Sequence, residues 1–120
     1  MSRYQSMTKM LRKKKWITLG EGRCQKYINN GKVDFCQKGV DALVIMDMYD
    51  VKENYSDVKK IILIASDSDF VPVIERMKQK GFEVIIYTYF DRKRKSRFST
   101  SNHLLNVASR WEKLKKEDFE

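Results

Sequence analysis

Two apolar runs joined by one helix-length segment limit what this chain can fold into. The first, KIILIA at 60–65, has Lys59 before it and Ser66-Asp67-Ser68-Asp69 after it. The second, FEVIIYTYF at 82–90, follows Gly81. Both are short and rich in β-branched or aromatic residues, and KIILIA lacks the polar alternation of a strand with one wet face. Such runs read as strands buried on both faces, the pattern of a parallel sheet. Phe70 to Lys80 between them repeats apolar residues at helical spacing, with Pro72 tolerated in the first turn and Gly81 closing the end. A strand, helix, strand succession predicts a right-handed crossover and an α/β layered fold. In such sheets ligands bind at the carboxyl ends of the strands.

The 120 residues, 42% of them hydrophobic, suffice for a single modest core, so residues 1–120 are expected to form one domain. Tyr4, Met7 and Leu11 lie at helical spacing in a first segment that runs to Lys15. Its last turn carries Arg12, Lys13, Lys14 and Lys15; these cations suit a helix C-terminus and equally suit a grip on RNA. Arg23 to Ile28 and Lys32 to Cys36 flank Asn29-Asn30-Gly31, and Asn-Gly predicts a β-hairpin. Val40 to Val51 follows Gly39 and reads as a helix buried against the sheet, with Leu43 and Met46 among its apolar residues. A last helix is expected from Ser101, with Leu104, Leu105, Ala108 and Trp111 on one side, before the charged tail 112–120.

With 25 Lys and Arg against 16 Asp and Glu the formal net charge is +9. That excess favours polyanionic partners, although many soluble proteins carry as much without touching nucleic acid. Position matters more, and DRKRKSRFST at 91–100 is the most basic stretch, expected as an exposed loop on the ligand-binding edge. Tyr89 and Phe90 beside it are candidates for base stacking, whereas Trp16 and Tyr87 fit core or cross-strand packing. No run approaches the roughly 20 apolar residues of a membrane span, and the start resembles no secretory signal, so a cytoplasmic location is expected. Cys24 and Cys36 match no zinc spacing; they read as reduced thiols, with a disulfide across the hairpin as the minor alternative. His103 reads as a surface or capping histidine.

The carboxylates carry the chemistry. Asp67 and Asp69 leave the end of the KIILIA strand, where Ser68 or Asp69 would also serve as a helix N-cap. Asp41 opens the preceding helix, and strand-helix geometry can bring it beside them. Three converging carboxylates repel one another unless a cation neutralises them. Oxygen ligands with no Cys or His cluster select Mg²⁺ or Mn²⁺, which activate water and stabilise charge on a phosphodiester. Asp47, six residues beyond Asp41, points elsewhere; a buried, hydrogen-bonded structural role is favoured over a supporting role at the site.

The stretches KGVDALVIMDMYD, IILIASDSDFVPVIERMKQKGFEVIIYTY and SNHLLNVAS, in that order over residues 38–111, resemble the NYN domains of the LabA-like group of PIN-like nucleases. The resemblance implies a three-layer PIN-like fold, with a mainly parallel sheet between helices, to which the hairpin is added. It implies Asp41, Asp67 and Asp69 as metal ligands, with Asp47, Ser66 and Ser68 supporting them. Ser66 stands where the family usually has Gly. The family's opening strand, with a further carboxylate, has no counterpart here, so an N-terminally shortened domain is expected: a truncated piece, a shortened natural protein, or one whose missing strand a second copy or another partner supplies, with at least a dimer as the economical remedy for the unpaired edge. Lys38, Arg92, Lys93, Arg94, Lys95, Arg97 and Ser101 would bind nucleic acid. The expected activity is Mg²⁺- or Mn²⁺-dependent hydrolysis of single-stranded RNA. The alternative is an inactive RNA-binding or dimerisation module.

Overall fold

The structure is a computed structural model that describes residues 2–89 and 102–119. The chain divides into two compact units, Met1–Leu43 and Val44–Glu120.

The first unit opens with helix α1, Arg3–Arg12. Ser2 and Gln5 form a capping box: the Ser2 hydroxyl accepts the Gln5 N–H at 3.1 Å, and the Gln5 side chain accepts the Ser2 N–H at 2.9 Å. The helix stops at Arg12 rather than Lys15, since four adjacent cations with no acidic neighbour in the turn repel one another. Glu21 ties this helix to the segment that follows. It accepts the Tyr4 hydroxyl at 3.1 Å and pairs with Arg12 at 3.2 Å. That hydrogen bond to a carboxylate is the main reason the Tyr4 phenol is held above its ordinary pKa.

Strands β1, Arg23–Asn29, and β2, Lys32–Lys38, pair antiparallel around Asn30 and Gly31, whose φ values of 51° and 75° match the type I′ turn expected of Asn-Gly. Gly22 begins the hairpin where a Cβ would lie 2.5 Å from the Lys38 carbonyl oxygen. Cys24 and Cys36 are not register partners, since Cys36 faces Gln25, and neither is in a disulfide. Alternation places them on opposite faces of the hairpin, which removes the disulfide alternative. Among the described residues of this unit only Thr8 is buried.

The second unit carries most of α2, Val40–Asn54, then β3, Lys60–Ile64. A 3-10 turn, Ser68–Phe70, leads into α3, Val71–Gln79, and β4, Glu83–Thr88. Beyond the undescribed stretch come α4, Asn102–Val107, β5, Arg110–Lys113, and a closing 3-10 turn, Lys116–Phe119. The sheet is parallel with order β3-β4-β5, so the expected α/β layering with a parallel sheet, helices and a separate hairpin is present. Ile61 and Leu63 of β3 lie beside Val84 and Ile86 of β4. These residues share one core with Met48 of α2, Phe70, Val73, Ile74, Met77 and Leu104.

Three expectations need correction. The last helix ends at Val107, and Trp111 belongs to β5. Ser109 makes the switch: its N–H donates to the Val84 carbonyl at 2.9 Å, and its hydroxyl accepts the Val84 N–H at 3.0 Å. Backbone pairing with β4 outweighs a helical pattern that had no cap beyond Val107. Helix α2 buries only Met48 fully, with Val44, Ile45 and Val51 packed partly, while Leu43 and Met46 face solvent. Asp47 is therefore exposed rather than buried among apolar neighbours.

Candidate metal centre

The end of β3 determines where the first carboxylates stand. After Ile64 the chain leaves the sheet through Ala65 and Ser66, and Asp67 adopts an extended conformation (φ −91°, ψ 135°) as cap of the 3-10 turn. One Asp67 carboxylate oxygen accepts the Asp69 N–H at 3.0 Å. Asp67, rather than Ser68 or Asp69, is thus the capping residue. The short turn follows from Phe70, which is buried 4% exposed in the core and draws the chain inward before α3 begins. Fixing Asp67 by a backbone donor leaves its second oxygen for another partner.

Asp41 occupies the first turn of α2. It is three residues from Val44 on an unbroken helix, so the helix that packs in the second unit carries it. One oxygen of each of Asp41, Asp67 and Asp69 lies within 4.8 Å of the others, and all three residues are exposed. Among the described residues none of the three is in a salt bridge. Three like charges at this spacing repel one another, and a small divalent cation bound by oxygen would relieve that repulsion. The donor set, carboxylates alone, suits a hard cation rather than a thiophilic one.

Beside this group, at the carboxyl ends of β3 and β4, Ile64, Ala65, Ser66, Tyr87, Thr88, Tyr89 and Leu114 line an open recess of about 190 Å³. Ser66 links the two features, being in the recess and next to Asp67 in sequence. Tyr89 is exposed and Tyr87 half-buried. Thr88 is 2% exposed, and its hydroxyl has no hydrogen-bond partner among the described residues. Sequence reasoning missed it, because threonine in a strand is an ordinary β-former.

The other anticipated residues are dispersed. Asp47 projects from α2 two turns past Asp41 and takes no part in the carboxylate group. Ser68 begins the 3-10 turn. Lys38 ends β2, exposed, three residues before Asp41. Phe90, Arg92, Lys93, Arg94, Lys95, Arg97 and Ser101 lie outside the described residues. His103 is exposed in the first turn of α4. Trp16, read from sequence as a packing residue, is instead 89% exposed.

No helix among the described residues is long and apolar enough to cross a membrane. The family model described as NYN domain matches residues 7–115, a longer span than the 38–111 over which the motifs are recognisable by eye. No curated protein and no solved structure matches the chain.

Proposed function

The chain belongs to the NYN domain family, whose fold is that of PIN-like nucleases, and on that premise we propose that it is a metal-dependent ribonuclease acting on single-stranded RNA. The observation that carries the reading is the exposed group of Asp41, Asp67 and Asp69, with no salt-bridging cation among the described residues.

In this reading the three carboxylates hold Mg²⁺ or Mn²⁺. Such an ion, when bound, would acidify water and offset charge on the phosphodiester. Asp67 contributes the oxygen not engaged by the Asp69 N–H, so the 3-10 turn presets its direction. Asp69 enters from the same turn and Asp41 from the start of α2. Ser66 and Ser68 flank Asp67 in the chain and would support it. Lys38, with the basic residues Arg92, Lys93, Arg94, Lys95 and Arg97 and with Ser101, draws the RNA backbone toward the acidic group.

The second reading, a module that binds RNA or a partner chain without turnover, draws support from β3. This strand forms an edge of the described sheet, and its Ile62 and Ile64 are 55% and 69% exposed. An added strand from a second copy or another protein would cover them. Cys24 and Cys36, neither in a disulfide, suit the reducing cytoplasm, where we place the protein.

Cleavage of a labelled single-stranded RNA in Mn²⁺, Mg²⁺ or EDTA, with Asp67→Asn prepared in parallel, tests the proposal. Cutting should need the metal and fall at least a hundredfold in the variant, while RNA binding stays equal or tightens because a charge near phosphate is gone. An Asp67→Asn protein that cuts as fast as the parent would sink the assignment.

A further inference from the structure

The first unit is far more basic than the rest of the chain. Residues 1–43 contain ten Lys and Arg against three Asp and Glu, a net +7 out of the chain's +9. All ten cations are exposed, and among the described residues Arg12 is the one in a salt bridge, with Glu21, while Lys15 lies over the Trp16 ring. The hairpin adds a specific arrangement to this charge. Register places Arg23 directly opposite Lys38, Gln25 opposite Cys36, Tyr27 opposite Asp34 and Asn29 opposite Lys32, all on one face by alternation.

Like charges directly opposite on a hairpin are destabilising, and Arg23 and Lys38 have no carboxylate in a salt bridge with them among the described residues. Asp34 on the same face already accepts the Tyr27 hydroxyl at 3.1 Å. An anion between Arg23 and Lys38 would turn the repulsion into attraction. Next to that pair, Gln25, Tyr27, Cys36 and Lys38 line an open recess of about 240 Å³. Tyr27, 40% exposed, offers a ring for stacking, and Gln25 offers both a donor and an acceptor. The opposite face differs: Lys26 lies among exposed Phe35, Ile28 and Val33.

We propose that this hairpin face is a binding surface for single-stranded RNA, which places a phosphate between Arg23 and Lys38 and a base against Tyr27. The proposal rests on RNA as the ligand of the reading above and adds where the strand is gripped. Lys38 ends β2 and is followed at once by Gly39, Val40 and Asp41, so the surface leads along the chain to one of the proposed metal ligands.

The test is fluorescence anisotropy of a labelled single-stranded RNA with the full chain in EDTA, over a range of salt. Arg23→Gln/Lys38→Gln should bind at least tenfold more weakly near 0.1 M salt, with a log-log salt slope shallower by about 1.4. Tyr27→Ala should lose roughly tenfold. The control Lys26→Gln/Lys59→Gln removes the same charge from the other hairpin face and from the second unit, and should change binding less than threefold. Melting temperatures check folding, and the Arg23/Lys38 variant should melt no lower than the parent because a repulsion is removed. Equal losses in variant and control would mean diffuse electrostatics and overturn the surface. So would unchanged binding of the face variants, the outcome if this face docks a protein, or a parent that binds no RNA. Binding lost as expected without cleavage in Mn²⁺ keeps the surface and removes the nuclease reading; cleavage with the Arg23/Lys38 variant unimpaired does the reverse.

Discussion

Thr88 and Asp67 show two ways in which a polar side chain can be poorly satisfied. Asp67 is exposed; water covers its open oxygen, and the repulsion it shares with Asp41 and Asp69 is moderated by solvent. Thr88 is sealed, and its hydroxyl lacks a partner among the described residues, a desolvation cost of about 1–3 kcal/mol. Replacing it with valine, which is similar in shape and without the hydroxyl, should leave stability unchanged or raise it by about 1 kcal/mol. Urea denaturation measures this; a loss of more than about 1 kcal/mol would mean that the hydroxyl is bonded after all. Of the two, Asp67 was legible in the sequence and Thr88 was not. Asp67 stands out because a carboxylate at a strand end has few bland explanations beyond capping, whereas nothing local distinguishes Thr88 from other strand threonines.

Among the elements, those whose periodicity has one solution were legible. KIILIA and FEVIIYTYF are too short and too apolar for anything but strands, and β3 and β4 fall within them; β4 is buried as expected, but β3 is an edge of the described sheet and leaves Ile62 and Ile64 exposed, which corrects the reading of KIILIA as buried on both faces. Asn30-Gly31 located the hairpin turn because both residues must take positive φ. The four residues of β5 were not legible, since RWEK continues the spacing of Leu104, Leu105 and Ala108 and becomes a strand only through β4. Exposure of α2 was equally hidden: its apolar residues surround the helix, and the chain supplies cover for one side alone. Ser109→Ala removes the acceptor of the Val84 N–H and should cost about 1–3 kcal/mol in a denaturant titration. Stability equal to the parent's would show that the switch into β5 does not depend on that hydroxyl.

For the molecule as a whole, charge is divided unevenly: +7 in residues 1–43 and +2 in the remainder, although the latter includes the basic run 92–97. Global composition therefore said less than its distribution: the basic run 92–97 contributes +5, which offsets a net −3 over the rest of residues 44–120. The acidic group should couple metal to folding. An ion bound by the native state alone stabilises it by about 1.4 kcal/mol at ten times its Kd. Millimolar Mn²⁺ should thus raise the parent's melting temperature, EDTA should reverse the rise, and Asp67→Asn should abolish it; an equal rise in the variant would place the ion elsewhere.

The sheet order β3-β4-β5 is also the order in which the ribosome makes the strands. Each strand after β3 finds its neighbour already synthesised, and no gap between two paired strands of this described sheet is left for a later segment to fill. Most of the sheet's pairing is consequently between segments close in sequence, which keeps loop-closure entropy small and lets the second unit begin to assemble while its last residues are still being added.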